Sequence, residues 1–152
     1  MGVIYYTGKE ALTYVRECAR LHSAAFSPLG ARGWTANEFE SLLRRGSTFL
    51  LKADHGFLLA DLIADEVEIL TVVVAPDHQG QSIGRALMSK LDETCRCRNV
   101  YKSNLEVAED NNAAISLYIA FNYKQLAIRD GYFKRKSGAV AALVMTKLYN
   151  DL

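Results

Sequence analysis

The sequence predicts a mixed α/β fold, and three observations carry that prediction. Short strand-like runs and helix-patterned segments alternate along the chain instead of segregating into blocks. The run Ile69-Leu70-Thr71-Val72-Val73-Val74 is apolar apart from Thr71, as a central strand covered on both faces requires. Directly after it, Ile83, Leu87, Leu91 and Cys95 recur every four residues and mark one face of a helix.

The elements follow in order. Val3-Ile4-Tyr5-Tyr6 reads as a short strand, and Thr7 with Glu10 forms a capping-box pattern opening a helix with Leu12, Val15 and Ala19 on its apolar side. A loop holding Pro28, Gly30, Gly33 and Trp34 leads to a second capping box, Thr35 with Glu38. That box opens a helix bearing Phe39, Leu42 and Leu43. Loops of this kind often border a substrate site. Three strand-like runs come next, residues 48–52, 56–64 and 66–75, and the turns Asp54-His55 and Asp65 predict antiparallel neighbours. The main helix follows and ends at Arg96 and Arg98, which suit its C-terminal dipole. Residues 101–107 return as a strand, 112–121 as a short helix, and 123–128 and 139–149 as two last strands.

At 152 residues, half of them hydrophobic, the chain suits one core and is short for two, so one domain over residues 1–152 is expected. The net charge is +1 with both signs scattered, which leaves no basic footprint for nucleic acid or an anionic membrane. No apolar stretch approaches the eighteen residues a membrane helix needs, and Met1–Lys9 lacks a charged region leading into an apolar run. A soluble cytoplasmic protein is expected. Cys95 and Cys97 point to different faces of a helix, which argues against a disulfide framework. His22, His55 and His78 lack ligand spacing, and no metal is assigned.

The segment between the buried strand and the main helix, His78-Gln79-Gly80-Gln81-Ser82-Ile83-Gly84-Arg85-Ala86, is polar and contains two glycines. Unpaired N–H groups in a helix's first turn, at its positive dipole end, hold anions, and glycine allows close backbone approach. A P-loop is excluded because no Gly-Lys-Ser/Thr occurs, and a dinucleotide fold because no G-x-G-x-x-G occurs. On spacing alone, a helix cap with no ligand stays open.

Gln79-Gly80-Gln81-Ser82-Ile83-Gly84 resembles the Q/R-x-x-G-x-G/A signature of the GNAT acetyltransferases, placed between strand and helix as that family places it. The resemblance implies a GNAT-like fold, with a mostly antiparallel sheet of six to seven strands and helices on both faces. It also implies acetyl-CoA as cosubstrate. Its pyrophosphate would lie on Gly80, Gln81, Ser82, Ile83, Gly84 and Arg85, and its pantetheine arm along Val72, Val73 and Val74. One position departs from the signature: Ser82 stands where the family has its first glycine. If the backbone there needs positive φ, serine crowds the site; otherwise it can cap the helix.

Acetyl transfer to an amine needs a neutral nucleophile, donors for the oxyanion and an acid for the leaving thiolate. Glu106 in Leu105-Glu106-Val107 and Tyr118 in the segment from Asn111 to Tyr118 are the candidates. Taken singly, a strand glutamate is commonly solvated and a helical tyrosine commonly core. The pattern Leu-Glu-Val, Asn111, Ala-x-x-Leu-Tyr and Phe121-Asn122-Tyr123 is similar to the bacterial ribosomal-protein-alanine N-acetyltransferases, a branch of the GNAT superfamily. So is the segment Arg129-Asp130-Gly131-Tyr132-Phe133, which resembles their closing hairpin. The resemblance runs from about Glu66 onward and is looser before it. It implies Glu106 as general base, Tyr118 as general acid and Asn111 as a contact to CoA, although Asn111 is also a good N-cap. Glu68 is the rival base. The acceptor implied is a protein N-terminus, the N-terminal alanine of a small-subunit ribosomal protein. Val140-Ala141 replace an acidic pair common in that branch, which leaves a small amine or a lysine as the alternative acceptor. A noncatalytic acyl-CoA-binding module is the second alternative.

Overall fold

The computed structural model describes residues 2–149. Its elements are β1 (Ile4–Tyr6), α1 (Gly8–Leu12), α2 (Val15–Phe26), α3 (Ala36–Leu43), β2 (Thr48–Ala53), β3 (Gly56–Ile63) and β4 (Glu66–Val74). There follow α4 (Ile83–Cys97), β5 (Lys102–Ala108), α5 (Asn112–Ala120), β6 (Lys124–Arg135) and β7 (Gly138–Leu148). The strands form one seven-stranded sheet in the order β1-β2-β3-β4-β5-β7-β6. Every neighbouring pair is antiparallel except β4 with β5.

Helices cover both faces. On one, Leu87, Met88, Leu91 and Cys95 of α4 pack against Leu51, Leu58, Leu105 and Val107; on the other, Cys18, Leu21, Phe39 and Leu43 pack against Leu50, Phe57 and Leu59. Successive strand residues point to opposite faces, so Leu50 and Leu51 serve different cores, as do Leu58 and Leu59. That is why β2 is buried at every position and why these runs show no apolar–polar alternation.

The feature that positions the site is a bulge in β4. Leu59 pairs with Thr71 and Ala60 with Ile69, so Leu70 has no partner on β3. The extra residue reverses the faces. Val67 and Ile69 before it, and Val72 and Val74 after it, all pack on the α4 side, whereas Val73 joins the opposite core. Both faces of the run are therefore lined by apolar neighbours. The parallel ladder with β5 matches Glu66–Ile69 to Lys102–Leu105 and stops there. Beyond Ile69 the two strands part.

At the far edge, β6 and β7 form a long hairpin whose register shifts between Arg129 and Phe133, with Gly131 in the left-handed region at φ +63°. The Lys136 N–H, in the hairpin turn, donates to the Gly30 carbonyl at 3.2 Å, and this ties the hairpin to the loop after α2.

Two local expectations are corrected. The helix predicted to open at Thr7 is divided into α1 and α2 by a turn at Thr13–Tyr14, and the Thr7 capping box does not form. Gly8 at φ +56° is the physical reason, because a left-handed first residue takes Thr7 out of reach of the N3 amide. The second box, Thr35 with Glu38, forms in full. The strand predicted to end at residue 128 continues to Arg135, since the β7 ladder resumes at Phe133 after the irregular stretch.

Gly56 opens β3 where β4 and α4 converge, and a Cβ there would lie 2.8 Å from the Val73 carbonyl oxygen and 2.9 Å from Ile83 Cγ2. Gly56→Ala is expected to destabilise the fold by roughly 1–3 kcal/mol through overpacking. Urea unfolding checks this as a lower midpoint at unchanged slope.

Candidate active site

The parting of β4 from β5 leaves the β4 edge from residue 70 to 74 with no strand beside it, and backbone groups there must find other partners. A cavity of about 330 Å³ opens along this edge. Val72 and Val74 form its floor, Gly80, Ser82, Ile83, Gly84 and Arg85 its end, and Asn111, Ala114 and Leu117 its opposite wall. The Gln79 amide donates to the Val74 carbonyl at 3.3 Å and holds the turn against the strand end.

That turn is built for close approach. Gly80 takes φ +78°, and nothing lies within 4 Å of where its Cβ would stand. Gly84 has the opposite reason for being glycine: a Cβ would meet Leu117 Cδ2 at 3.1 Å, so the residue lets α4 pack against α5. Ser82, the N-cap of α4, sits in the left-handed region at φ +67° with no side-chain capping bond. The first of the two alternatives for this position therefore holds: the backbone asks for positive φ and serine occupies it. Among the described residues, no hydrogen bond was found that satisfies the N–H groups of Ile83, Gly84 and Arg85, which are left free for an anion. The edge, the bare Gly80 and the free first turn together fit the phosphates and extended arm of CoA.

A second cavity, about 240 Å³, shares Phe26, Val72 and Asn111 with the first and continues across the split between the strands. Glu106 and Tyr118 both line it. Glu106 lies on β5 just past the last residue paired to β4. Its Oε1 stands 3.5 Å from Arg129 Nη1, while its Oε2 is buried with no hydrogen-bond partner among the described residues. An unmet buried carboxylate oxygen is costly and calls for an explanation. Tyr118 is 5 % exposed, and burial pushes its hydroxyl above the ordinary tyrosine range, so it stays protonated and able to donate. Asn111 caps α5 by accepting the Ala114 N–H at 3.3 Å and faces both cavities.

Other named positions lie elsewhere. The Val73 side chain is in the core on the opposite face and its carbonyl oxygen faces Gly56 on β3, so Val73 turns away from the open edge, and Gln81 is exposed and lines neither cavity. Glu68, on β4 before the bulge, is also exposed and outside both. Of the pair that replaces an acidic one, Val140 stands opposite Phe133 and Ala141 is buried, its carbonyl accepting the Glu109 N–H at 2.9 Å.

Several residues that line the second cavity carry no motif. His22 is sandwiched between Phe26 and Trp34, with ring centroids 4.3 and 4.6 Å away, and its Nδ1 accepts the Trp34 backbone N–H at 3.1 Å. Burial pulls its pKa down to about 4, so the ring is neutral at pH 7 with its proton on Nε2. Arg32, Lys134 and Arg135 bring positive charge to the lining. Arg32 pairs with Glu38 at 2.7 and 2.9 Å, and that guanidinium, with the Thr35 amide, holds Glu38 down at about 2. Arg135 grips Asp110 through two bonds of 3.1 Å. The helical pattern of α2 and the loop glycines hinted that this region borders a site, but charges on a hairpin carry no such signal. His55 and His78, distant in sequence, stack at 3.6 Å. Among the described residues no group of three or more His, Cys, Asp or Glu is placed to hold a metal, and no helix is long and apolar enough to cross a membrane.

Comparison with known proteins agrees with this geometry. Residues 15–123 match the family model described as the acetyltransferase (GNAT) family. The [ribosomal protein bS18]-alanine N-acetyltransferase of Escherichia coli K12 is 34% identical over 89 residues, 59% of this chain and 60% of that protein. The chain thus spans about three fifths of the length of these curated relatives. Among solved structures, the ribosomal-protein-S18-alanine N-acetyltransferase from E. coli superposes with a TM-score of 0.80 at 24% identity, covering 99% of both chains. The yncA structure from Salmonella typhimurium, solved with its cofactor acetyl-CoA, gives 0.74 at 15% identity, covering 100% of this chain and 96% of that one. These two show the fold.

Left-handed backbone costs a non-glycine residue about 1–2 kcal/mol, part of which glycine returns through the entropy of the unfolded chain. Ser82→Gly is therefore expected to stabilise the protein by up to about 1 kcal/mol and to bind CoA at least as tightly. Thermal unfolding and titration calorimetry check the two halves of that expectation.

Proposed function

The chain belongs to the acetyltransferase (GNAT) family, and from that premise we propose that it moves an acetyl group from acetyl-CoA to the N-terminal amine of a protein. The favoured acceptor is the N-terminal alanine of a small-subunit ribosomal protein, acetylated in the cytoplasm. The observation that carries the reading is the buried, unpartnered Oε2 of Glu106 in a cavity continuous with the open β4 edge. The E. coli relative's name supports the choice of acceptor.

In this reading CoA's pyrophosphate lies on the turn from Gly80 to Arg85 and its arm lies along Val72 to Val74, beside Asn111. Glu106 accepts a proton from the incoming ammonium, and the neutral amine forms the new C–N bond as the C–S bond breaks. N–H groups of the β4 edge at Val72 and Val74 hold the carbonyl oxygen as charge develops on it. Tyr118 supplies the proton to the departing sulfur and regains one from the nitrogen of the new amide through solvent, while Glu106 releases its proton to solvent, so that one proton leaves overall. Placing the two reactants in adjoining cavities supplies the orientation.

The lining favours a single amine over a polycation. Glu106 is the one carboxylate among its residues, and with Arg32 paired to Glu38 and Arg135 to Asp110, Lys134 is the cation of the lining left to repel a second positive charge. An α-amine also suits the chemistry better than a lysine, because reference pKa values near 8 and 10.4 make the neutral lysine roughly 3 kcal/mol more costly at pH 7.

Glu106→Gln is expected to lower turnover by roughly 10²–10⁴ with CoA binding retained, and Tyr118→Phe to slow it with the fold intact. Thiol release measured beside calorimetric CoA binding and circular dichroism checks both, and near-normal turnover in Glu106→Gln would move the base to Glu68 or water. Acceptor choice is tested by mass spectrometry of peptides matching the organism's own ribosomal protein. The free N-terminus should be acetylated, an N-terminally blocked copy with internal lysines should not, and spermine should react at least ~10²-fold less efficiently. CoA binding without any acetyl transfer would point to the noncatalytic module.

A further inference from the structure

We infer that Arg129 is a positioning residue for Glu106, fixing which carboxylate oxygen is presented to the acceptor amine; the inference rests on the reading of Glu106 as the base. Arg129 lies on β6, and β7 separates it from Glu106 on β5. In the ladder Arg129 stands opposite Ala142, Ala142 opposite Ala108, and Glu106 opposite Val144 two residues along. Residues directly opposite, or two apart on one strand, share a face, so Arg129 and Glu106 are on the same side of the sheet. Between them lies the small Ala142, over which a long side chain can run. The guanidinium reaches Oε1 at 3.5 Å.

The contact divides the carboxylate. Oε1 is engaged at the open side, where Arg129 is 55% exposed, and Oε2 is left inside with no partner. A free carboxylate would turn to share both oxygens with water or the cation; an arginine that pins one of them keeps the other aimed into the cavity. Arg129 is itself held from a second direction. Its guanidinium lies 5.2 Å from the centre of the Tyr132 ring, which the irregular stretch of residues 130–132, turning on Gly131, brings beside it. The other charged groups along this stretch of β6 are Asp130, which is exposed, and Lys134 and Arg135, which line the cavity, Arg135 being paired with Asp110.

An ion pair this exposed contributes little to stability, so its loss belongs in turnover and not in the melting temperature. Arg129→Ala is expected to lower kcat about tenfold while leaving the KM for acetyl-CoA and the thermal midpoint unchanged, and Arg129→Lys to recover most of the loss because a single N···O contact is needed. The decisive comparison is a double-mutant cycle. In the Glu106→Gln background, Arg129→Ala should change kcat by less than about twofold, since the group it positions is already gone. A tenfold loss in both backgrounds, or no loss in either the wild type or a lysine variant compared with alanine, overturns the inference. Normal turnover in Glu106→Gln alone would instead remove the base assignment itself, whereas an impaired Glu106→Gln beside a normal Arg129→Ala overturns only the positioning role.

Discussion

The bulge at Leu70 is the constraint on which the rest of this molecule depends. The strand is paired on both sides before that extra residue, and the four residues that follow it have no parallel neighbour. Without it, β4 would continue along β5, the edge amides would be consumed in a ladder, and no cleft would run through the sheet. The same residue reverses the faces of the strand, so that Val72 and Val74 floor the cavity while Val73 anchors the strand in the core beneath α1 to α3. Rigidity on one side and an open backbone on the other come from a single irregularity.

From that opening the two reacting partners are kept apart by different means. The anion side uses backbone: glycine turns, free helix N–H groups and an exposed strand edge, so main-chain groups face the cavity even where serine stands at position 82. The amine side uses side chains and burial. An oxygen of Glu106 without a partner, and a tyrosine hydroxyl kept protonated by its surroundings, are costs that a purely structural arrangement would avoid, for example by letting the carboxylate turn outward. Glu38, by contrast, is fully committed to Arg32 and Thr35 and has nothing left to offer an acceptor.

What was legible in the sequence follows from the range of each interaction. The main helix declared itself through a four-residue repeat and the anion turn through its glycines, because both are local. The turns at Asp54-His55 and Asp65 likewise marked the antiparallel meander. The bulge was invisible, since a run that is apolar at every position has no alternation for an extra residue to break. Thr7 with Glu10 matched a capping pattern as well as Thr35 with Glu38 did, yet Gly8's backbone disqualified it, and pattern matching does not weigh φ. His22, Trp34 and Arg129 were missed for the opposite reason: their roles arise only when α2, its loop and the last hairpin converge on the strand split.

That convergence separates the chemistry from the choice of acceptor. The matched family segment ends at residue 123, and it contains the bulged strand, the anion turn, Glu106 and Tyr118. The hairpin of β6 and β7 lies beyond it, completes the sheet, and brings Phe133, Lys134 and Arg135 to the cavity wall. The Lys136 N–H in its turn donates to the Gly30 carbonyl and ties the hairpin to the loop after α2. No hairpin residue lines the cavity along the β4 edge, so charges on that wall can be exchanged without altering its lining. Val140 and Ala141 lie outside the second cavity, whose lining carries Glu106 as its one carboxylate beside Arg32, Lys134 and Arg135. The charge around that cavity can therefore change with the hairpin while the fold beneath it stays the same.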